Sequence, residues 1–414
     1  VFLLYLCGNV AFGVENSFFN VFMYNVIAPV PFYISMLVTF SAITATLSSV
    51  FMGTLSDKLG RRKAFFLITF PLWAVTTALY PLSGVLSPVI VAVWMAVIFD
   101  CLMTFFGATG YDAVLQAHMT DITNVENRAY LASITEIAGL IGILATYGLS
   151  SVIIDSVGYY AFFMIIAIMV GVLGIIGALL SKEPENIKPS DRSYMDLLKS
   201  TFSISELKKN RDIFLVLIGL ACWGIGFQTF FPYLLVYLEH YLHYKILDAA
   251  ILVLIAIIIA AVFSVPLGKL VDKYGRRKFT VFAIILCVAN LPMFALVGRN
   301  LLLLVLFGSF WVIAMITFNI SMRAWTRDMQ PEDKRGQFAG LWMVFSVAIS
   351  HSIGSMLGSL IAQTFGESFI DDSGQLGWIP PPLIFYVAAI IITTTLIPIL
   401  SARESKIFTE RESS

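Results

Sequence analysis

GTLSDKLGRRK, at Gly53 to Lys63, sets five charges, one acidic and four basic, directly after a long uncharged run, and the apolar chain resumes at once as AFFLITF. The segment returns 215 residues later as GKLVDKYGRRK, Gly268 to Lys278, identical at eight of eleven positions. A second echo lies two apolar stretches beyond each copy. DITNVENR, Asp121 to Arg128, is matched by DMQPEDKR, Asp328 to Arg335, with Asp seven residues before Arg in both. The chain therefore reads as a duplicated unit in which short charged loops interrupt long apolar segments.

Composition says where those segments lie. Of 414 residues, 59% are hydrophobic and only 13% charged, and no water-exposed surface accommodates that balance. A membrane span needs about 20 mostly apolar residues. Twelve such stretches are centred near residues 14, 44, 73, 101, 142, 170, 226, 258, 288, 312, 350 and 391. Lipid offers backbone groups no partner outside a helix or a closed barrel, and barrel strands are shorter and alternating. The expected fold is an all-α membrane protein of twelve transmembrane helices. Its halves are residues 1–181 and 212–402, joined by a cytoplasmic linker, 182–211, with a cytoplasmic tail at 403–414. In the linker, Tyr194, Leu197, Leu198 and Phe202 recur near helical spacing, the mark of a helix lying along the membrane surface.

Charge placement gives the orientation. With Val1 inside, the inner segments hold 24 of the 26 Lys and Arg residues, and only Lys245 and Arg299 fall outside. That bias places both termini in the cytoplasm. The chain begins at Val1 in apolar sequence, so a short cytoplasmic leader is expected before it. Cys7, Cys101, Cys222 and Cys287 all fall within spans at no ligand-like spacing and read as packing residues.

An ionisable group at membrane depth costs several kcal/mol unless paired or hydrated, so each is a functional candidate. Glu15 lies mid-span in helix one and Asp100 about twelve residues into helix four. In that setting a carboxyl group binds a cation or carries a proton. Asp112 and Glu136 lie nearer the inner ends of helices four and five, within reach of Arg61, Arg62, Lys63 and Arg128, and read as gate acids. The second half places Gln228, Trp311 and His351 at mid-depth. For His351, helix packing and proton relay stand as equal alternatives. Helix one sets Asn9, Asn16 and Asn20 on one face beside Phe12 and Phe19; amides next to rings suit a sugar, and the same rings suit a lipophilic drug. Pro232 interrupts helix seven beside Gln228, where a kink exposes backbone or merely bends the helix. No histidine stands at catalytic spacing from a cysteine or serine, so enzymatic chemistry is not expected.

With the duplicated pattern G-x-x-x-D-x-x-G-R-R-K the chain resembles the major facilitator superfamily of secondary transporters, and the resemblance covers essentially its whole length. The resemblance implies two six-helix halves related by a pseudo-two-fold axis along the membrane normal, alternating access, and a solute cavity lined by helices one, four, seven and ten with parts of five and eleven. It implies substrate or cation binding by Glu15, Asn16, Asn20, Asp100, Gln228, Trp311 and His351. It also implies an inner latch built from Gly53, Asp57, Arg61, Arg62, Asp112, Arg128 and Glu136, with Gly268, Asp272, Arg276, Arg277, Asp328 and Arg335 in the second half. Within the superfamily, the acids on helices one and four, FQTFFPYLLVYL and ITDITNVENRAYLASI look like the glycoside-pentoside-hexuronide:cation symporters and sucrose-type carriers. The chain departs from them in lacking acids on helix two before Asp57, and in carrying Glu136 and His351 where basic residues are usual.

The sequence reading is thus a secondary active transporter of a small polar organic solute, sugar-like first, coupled to protons, with sodium coupling and facilitated diffusion also open. The localisation expected is a prokaryotic plasma membrane. Expected partners are the solute and the bilayer, with no nucleic acid, cofactor or metal, and the protein is expected to be a monomer. An exporter of lipophilic drugs or lipids is the alternative, favoured by the aliphatic ILVLIAIIIAAVF of helix eight. A transporter-like receptor or scaffold without flux is the alternative of another class.

Overall fold

Inside a bilayer every backbone N–H and C=O must be satisfied within its own segment, and the chain answers with helices. The computed structural model describes residues 1–123, 128–183, 193–195, 198, 211–329, 340–371 and 373–404. Arg335, most of the linker and the end of the tail lie outside the described residues, as do the side chains of Arg128 and Asp272. Among the described residues, eleven helices are long and apolar enough to cross a membrane. One of them, Ile134–Leu180, is 47 residues long. At 1.5 Å per residue it would run about 70 Å, more than twice the hydrocarbon thickness. It breaks at Gly158 (φ 79°, ψ 172°), so it comprises two spans and the total is twelve.

In chain order the helices are α1 (Phe2–Ile27), α2 (Pro31–Leu59), α3 (Lys63–Val85) and α4 (Val89–Asp121), then α5 and α6, the arms of Ile134–Leu180 before and after Gly158. They continue as α7 (Arg211–Tyr241), α8 (Ile246–Tyr274), α9 (Arg276–Leu296), α10 (Leu301–Met329), α11 (Gly340–Phe365) and α12 (Leu383–Ser401). The chain forms two compact units, one of residues 1–200 with 369–377, the other of 201–368 with 378–414. The first holds α1–α6 and the second α7–α12. One feature departs from an all-helical expectation. The loop GESFIDDSGQLGWIPPP contains a small hairpin, β1 (Glu367–Ile370) paired with β2 (Leu376–Ile379). Its turn closes on Asp371, whose carboxylate accepts from Ser373 N–H at 3.0 Å and Gln375 N–H at 2.7 Å.

The repeated loops both turn at a glycine of positive φ. α2 ends at Gly60 with φ 60° and ψ 33°, and α8 ends at Gly275 with φ 101° and ψ 151°. Both values lie where a side chain is strained, so the glycine of each G-R-R-K is required by the turn.

Helix pairing within each unit depends on small residues, since lipid tails compete equally for apolar side chains. In unit 2, a Cβ on Gly358 would sit 2.2 Å from the Thr229 carbonyl and 2.5 Å from the Tyr233 ring, and one on Gly354 would sit 2.5 Å from the Ile225 carbonyl. These glycines, four apart on α11, let α7 approach backbone to backbone, and the Tyr233 hydroxyl seals the contact by donating to Ser355 O at 2.7 Å. In unit 1, Gly13 of α1 takes Thr146 of α5 in the same manner, with 2.5 Å from the would-be Cβ to Oγ1. Wide π-helical turns interrupt the described helices at Glu15–Phe19 and Met23–Ile27 of α1, Ala108–Leu115 of α4, Leu144–Leu149 of α5, Tyr237–Tyr241 of α7 and Val344–Ile349 of α11. Such turns often mark functional sites. Here they fall on the helices that carry the ionisable and polar candidates.

Gly358→Val forces backbone apart and is expected to cost about 1–3 kcal/mol, read as a lower melting temperature of the detergent-purified protein. Gly139→Ala, where nothing lies within 4 Å of the added Cβ, serves as the control and leaves melting unchanged or slightly raised.

Candidate functional site

The deepest polar cluster of unit 1 gathers α1, α2, α3 and α4. Glu15 opens the π turn of α1 and is 7% exposed; Asp100 of α4 is 0% exposed. Thr104, one turn after Asp100, donates its hydroxyl to Glu15 Oε1 at 2.8 Å. Glu15 Oε2 is buried without a hydrogen-bond partner, and so are both oxygens of Asp100. Ser41 of α2 faces Asp100 without closing a hydrogen bond of ordinary geometry. The two acids lie within each other's electrostatic reach, and the charge of Asp112 also reaches Glu15. Tyr80 of α3 lies in the field of both. Its ring stacks on Phe19 at 3.7 Å and 16°, and its hydroxyl donates to Phe19 O at 3.1 Å. Among the described residues no Lys, Arg or His forms an ion pair with Glu15 or Asp100.

The asparagines of α1 divide. Asn16 is exposed and donates to Phe12 O at 2.8 Å. Asn20 is buried, donates to Asn16 O at 3.0 Å, and its carbonyl oxygen has no partner. Asn9 donates to the Tyr111 hydroxyl at 2.9 Å, and Tyr111 in turn tilts against Tyr5 and Phe12.

Unit 2 has no acid at the corresponding place. Gln228 Nε2 and His351 Nε2 lie 2.6 Å apart. A hydrogen bond joins them, its donor set by the His351 tautomer. The ring also faces the Val347 and Ser346 carbonyls, while Nδ1 closes no hydrogen bond of ordinary geometry. Trp311 is buried edge-on against Phe230 at 5.4 Å and tilted against Phe227 at 6.0 Å, with its Nε1 unpartnered. Pro232 sits in a single 3-10 turn, Phe231–Tyr233, directly after Gln228 and its neighbours.

At the charged loops Arg62 is the centre of unit 1. The guanidinium, 5% exposed, pairs through Nη1 with Asp57 at 2.8 Å and through Nε with Asp121 at 2.9 Å, and Nη1 also donates to Ser56 Oγ at 2.7 Å. Glu183, just past α6, accepts from the backbone N–H groups of Arg62 and Lys63 and so caps α3. Unit 2 repeats the device with one change. Glu404 accepts from Arg277 N–H at 3.1 Å, the counterpart of the Glu183 cap, but the guanidinium bound to Asp328, at 3.2 Å, belongs to Arg276, the counterpart of Arg61. Arg61 is exposed. Glu136 is exposed and in no ion pair among the described residues.

Sequence reasoning named Glu15, Asp100, Gln228 and His351 but missed Thr104, Tyr80, Glu183 and Glu404. Thr104 was findable, four residues after Asp100 and on the same face. The two glutamates follow matching ends, LLSKE at 179–183 and ILSARE at 399–404. Tyr80 had no signal, because beyond Lys63 at its start α3 carries no acidic or basic residue to draw notice.

The Major Facilitator Superfamily model matches residues 1–347 and 258–412. The proline/betaine transporter of Escherichia coli K12 is 26% identical over 302 residues, covering 66% of this chain and 58% of that protein. The glycine betaine/proline/ectoine/pipecolic acid transporter OusA of Dickeya dadantii is 25% identical over 301 residues with the same coverage. The chain thus spans 58% of the length of these curated relatives. Among solved structures, the nucleoside transporter NupG superposes with TM-score 0.72 at 13% identity, covering 97% of this chain and 97% of its own. A D-xylose-proton symporter superposes with TM-score 0.71 at 15% identity, covering 98% of both chains.

The two carboxylates on Arg62 are not equivalent. Asp57 is 58% exposed and Asp121 24%. Solvent screening leaves an exposed pair worth ~0–1 kcal/mol, so Asp57→Asn is expected to change thermal stability little. Asp121→Asn leaves a buried guanidinium short of a partner and is expected to cost about 1–3 kcal/mol, measured as the difference in melting temperature between the two variants.

Proposed function

The chain belongs to the Major Facilitator Superfamily, and on that premise we propose that it is a proton-coupled secondary transporter of a small polar organic solute, working by alternating access. One observation carries the coupling. Glu15 and Asp100 lie buried within reach of each other with three carboxyl oxygens unpartnered and no cationic side chain paired with them among the described residues. Ionised carboxylates in such surroundings are costly by several kcal/mol each. The inexpensive state is the protonated one, so a proton that arrives and leaves is the natural charge carrier of this unit.

The solute reading moves from sugar toward zwitterion. Relatives named for proline, betaine and ectoine support small zwitterions; the sugar and nucleoside transporters share the fold alone. Aromatic faces such as those of Phe227, Phe231 and Trp311 suit a methylated ammonium through cation–π attraction, and Gln228 and Trp311 offer N–H donors to an anionic group. The charge bias of the loops supports both termini in the cytoplasm, with the Arg62 and Arg276 networks on that side as gate elements.

A thermal-shift screen of proline, glycine betaine and sugars identifies the solute, because preferential binding to the native state raises the melting temperature. Uptake of that solute into proteoliposomes under an imposed inward proton gradient tests the coupling. Wild type is expected to accumulate solute against its gradient. Glu15→Gln is expected to lose accumulation at least tenfold while retaining downhill exchange. Continued accumulation by both Glu15→Gln and Asp100→Asn contradicts the assignment.

A further inference from the structure

Most threonines described within these helices spend their single hydroxyl proton at home, while Thr69, Thr146 and Thr395 close no hydrogen bond of ordinary geometry. Thr46 donates to Ala42 O at 2.9 Å, Thr109 to Phe105 O at 2.7 Å, Thr229 to Ile225 O at 2.8 Å and Thr317 to Ile313 O at 2.7 Å, each to the carbonyl four residues back. That is the ordinary way to satisfy a hydroxyl in an apolar setting. Thr104 does otherwise. It gives its proton to Glu15 Oε1, a partner 89 residues away on another helix, so the bond joins α1 to α4.

A hydrogen bond donated to a carboxylate favours its ionised form over its protonated one. Within the acid cluster this support is unequal: Ser41 of α2 faces Asp100, but its hydroxyl donates to Val38 O at 3.3 Å and no hydrogen bond of ordinary geometry reaches either Asp100 oxygen. The other titratable groups that face Glu15 are Asp100, Cys101 and Asp112 from α4 and Tyr80 from α3, none of them cationic. We infer that Thr104 is the positioning residue that makes Glu15, and not Asp100, the acid that releases its proton during the transport cycle. The inference rests on the reading of the pair as the proton carrier. With Oε1 occupied by the Thr104 hydrogen, the exchangeable proton sits on Oε2, the unpartnered oxygen. On release the Oε2–H bond breaks, the proton passes to water, the electron pair stays on the carboxylate, and Thr104 keeps its own proton. Asp100, with no hydrogen bond of ordinary geometry to either oxygen, holds its proton through that step.

The test is a pH titration of the protonated-carboxyl infrared band of the full-length purified protein, run beside the pH profile of uptake. Glu15→Gln is expected to remove the titrating band. Thr104→Val and Thr104→Ala, either of which suffices if the other fails to fold, are expected to move its midpoint upward by about one pH unit, a tenfold change in proton affinity. Thr104→Ser restores the hydroxyl and is expected to restore the wild-type midpoint. A residue that merely packs would lower the melting temperature without moving the midpoint. The inference is overturned if the band survives Glu15→Gln and disappears in Asp100→Asn, or if valine, alanine and serine at position 104 give one midpoint. The parent reading fails separately: the band then titrates as described while accumulation is indifferent to the proton gradient.

Discussion

Two carboxyl groups buried in a membrane interior, with no cationic side chain paired to them among the described residues, set the terms for unit 1. Such a pair is costly unless it is protonated, hydrated or neutralised by a cation, so the fold must shelter the groups. Shelter comes from the Phe19–Tyr80 stack and from packing that leaves Asp100 fully buried. On α1, Glu15 opens a π turn and is followed by exposed Asn16. The Thr104 bond ties these together, since it is the one direct hydrogen bond that Glu15 accepts from another helix among the described residues.

The charged loops obey a different constraint. Each must reverse the chain tightly, expose cations to hold its side of the membrane, and still satisfy a helix start. Gly60 and Gly275 supply the reversal, Glu183 and Glu404 cap the helix that follows, and one arginine per unit binds the aspartate at the end of the helix two spans on. Duplication preserved the cap and the glycine but not the choice of arginine. A guanidinium is long enough for either Arg of G-R-R-K to reach the same aspartate, which explains why the geometry drifted while the pairing survived.

How much of this was legible in the sequence follows from range. The twelve spans were visible because lipid imposes length and apolarity segment by segment, and the duplicated G-R-R-K loop identified the family. Glu15 and Asp100 were visible because charge is conspicuous in apolar sequence. Tyr80 and Ser41 were not, because hydroxyls are common in membrane helices and their orientation is set by packing between helices; Thr104 was marked only by its place one turn after Asp100. The π turns were likewise hidden, since no residue type specifies them. The hairpin at Glu367–Ile379 passed as plain loop because each strand has only four residues. The solute was least legible: amides beside aromatic rings pointed toward sugar, and the curated relatives turned the reading toward zwitterions.

The central claim is that solute movement carries a proton through Glu15. The most direct measurement uses proteoliposomes with an internal pH dye and no imposed gradient, to which solute is added outside. Wild type is expected to acidify the lumen as solute enters, and Glu15→Gln is expected to admit solute downhill with no acidification. Acidification that persists undiminished in Glu15→Gln would contradict the account.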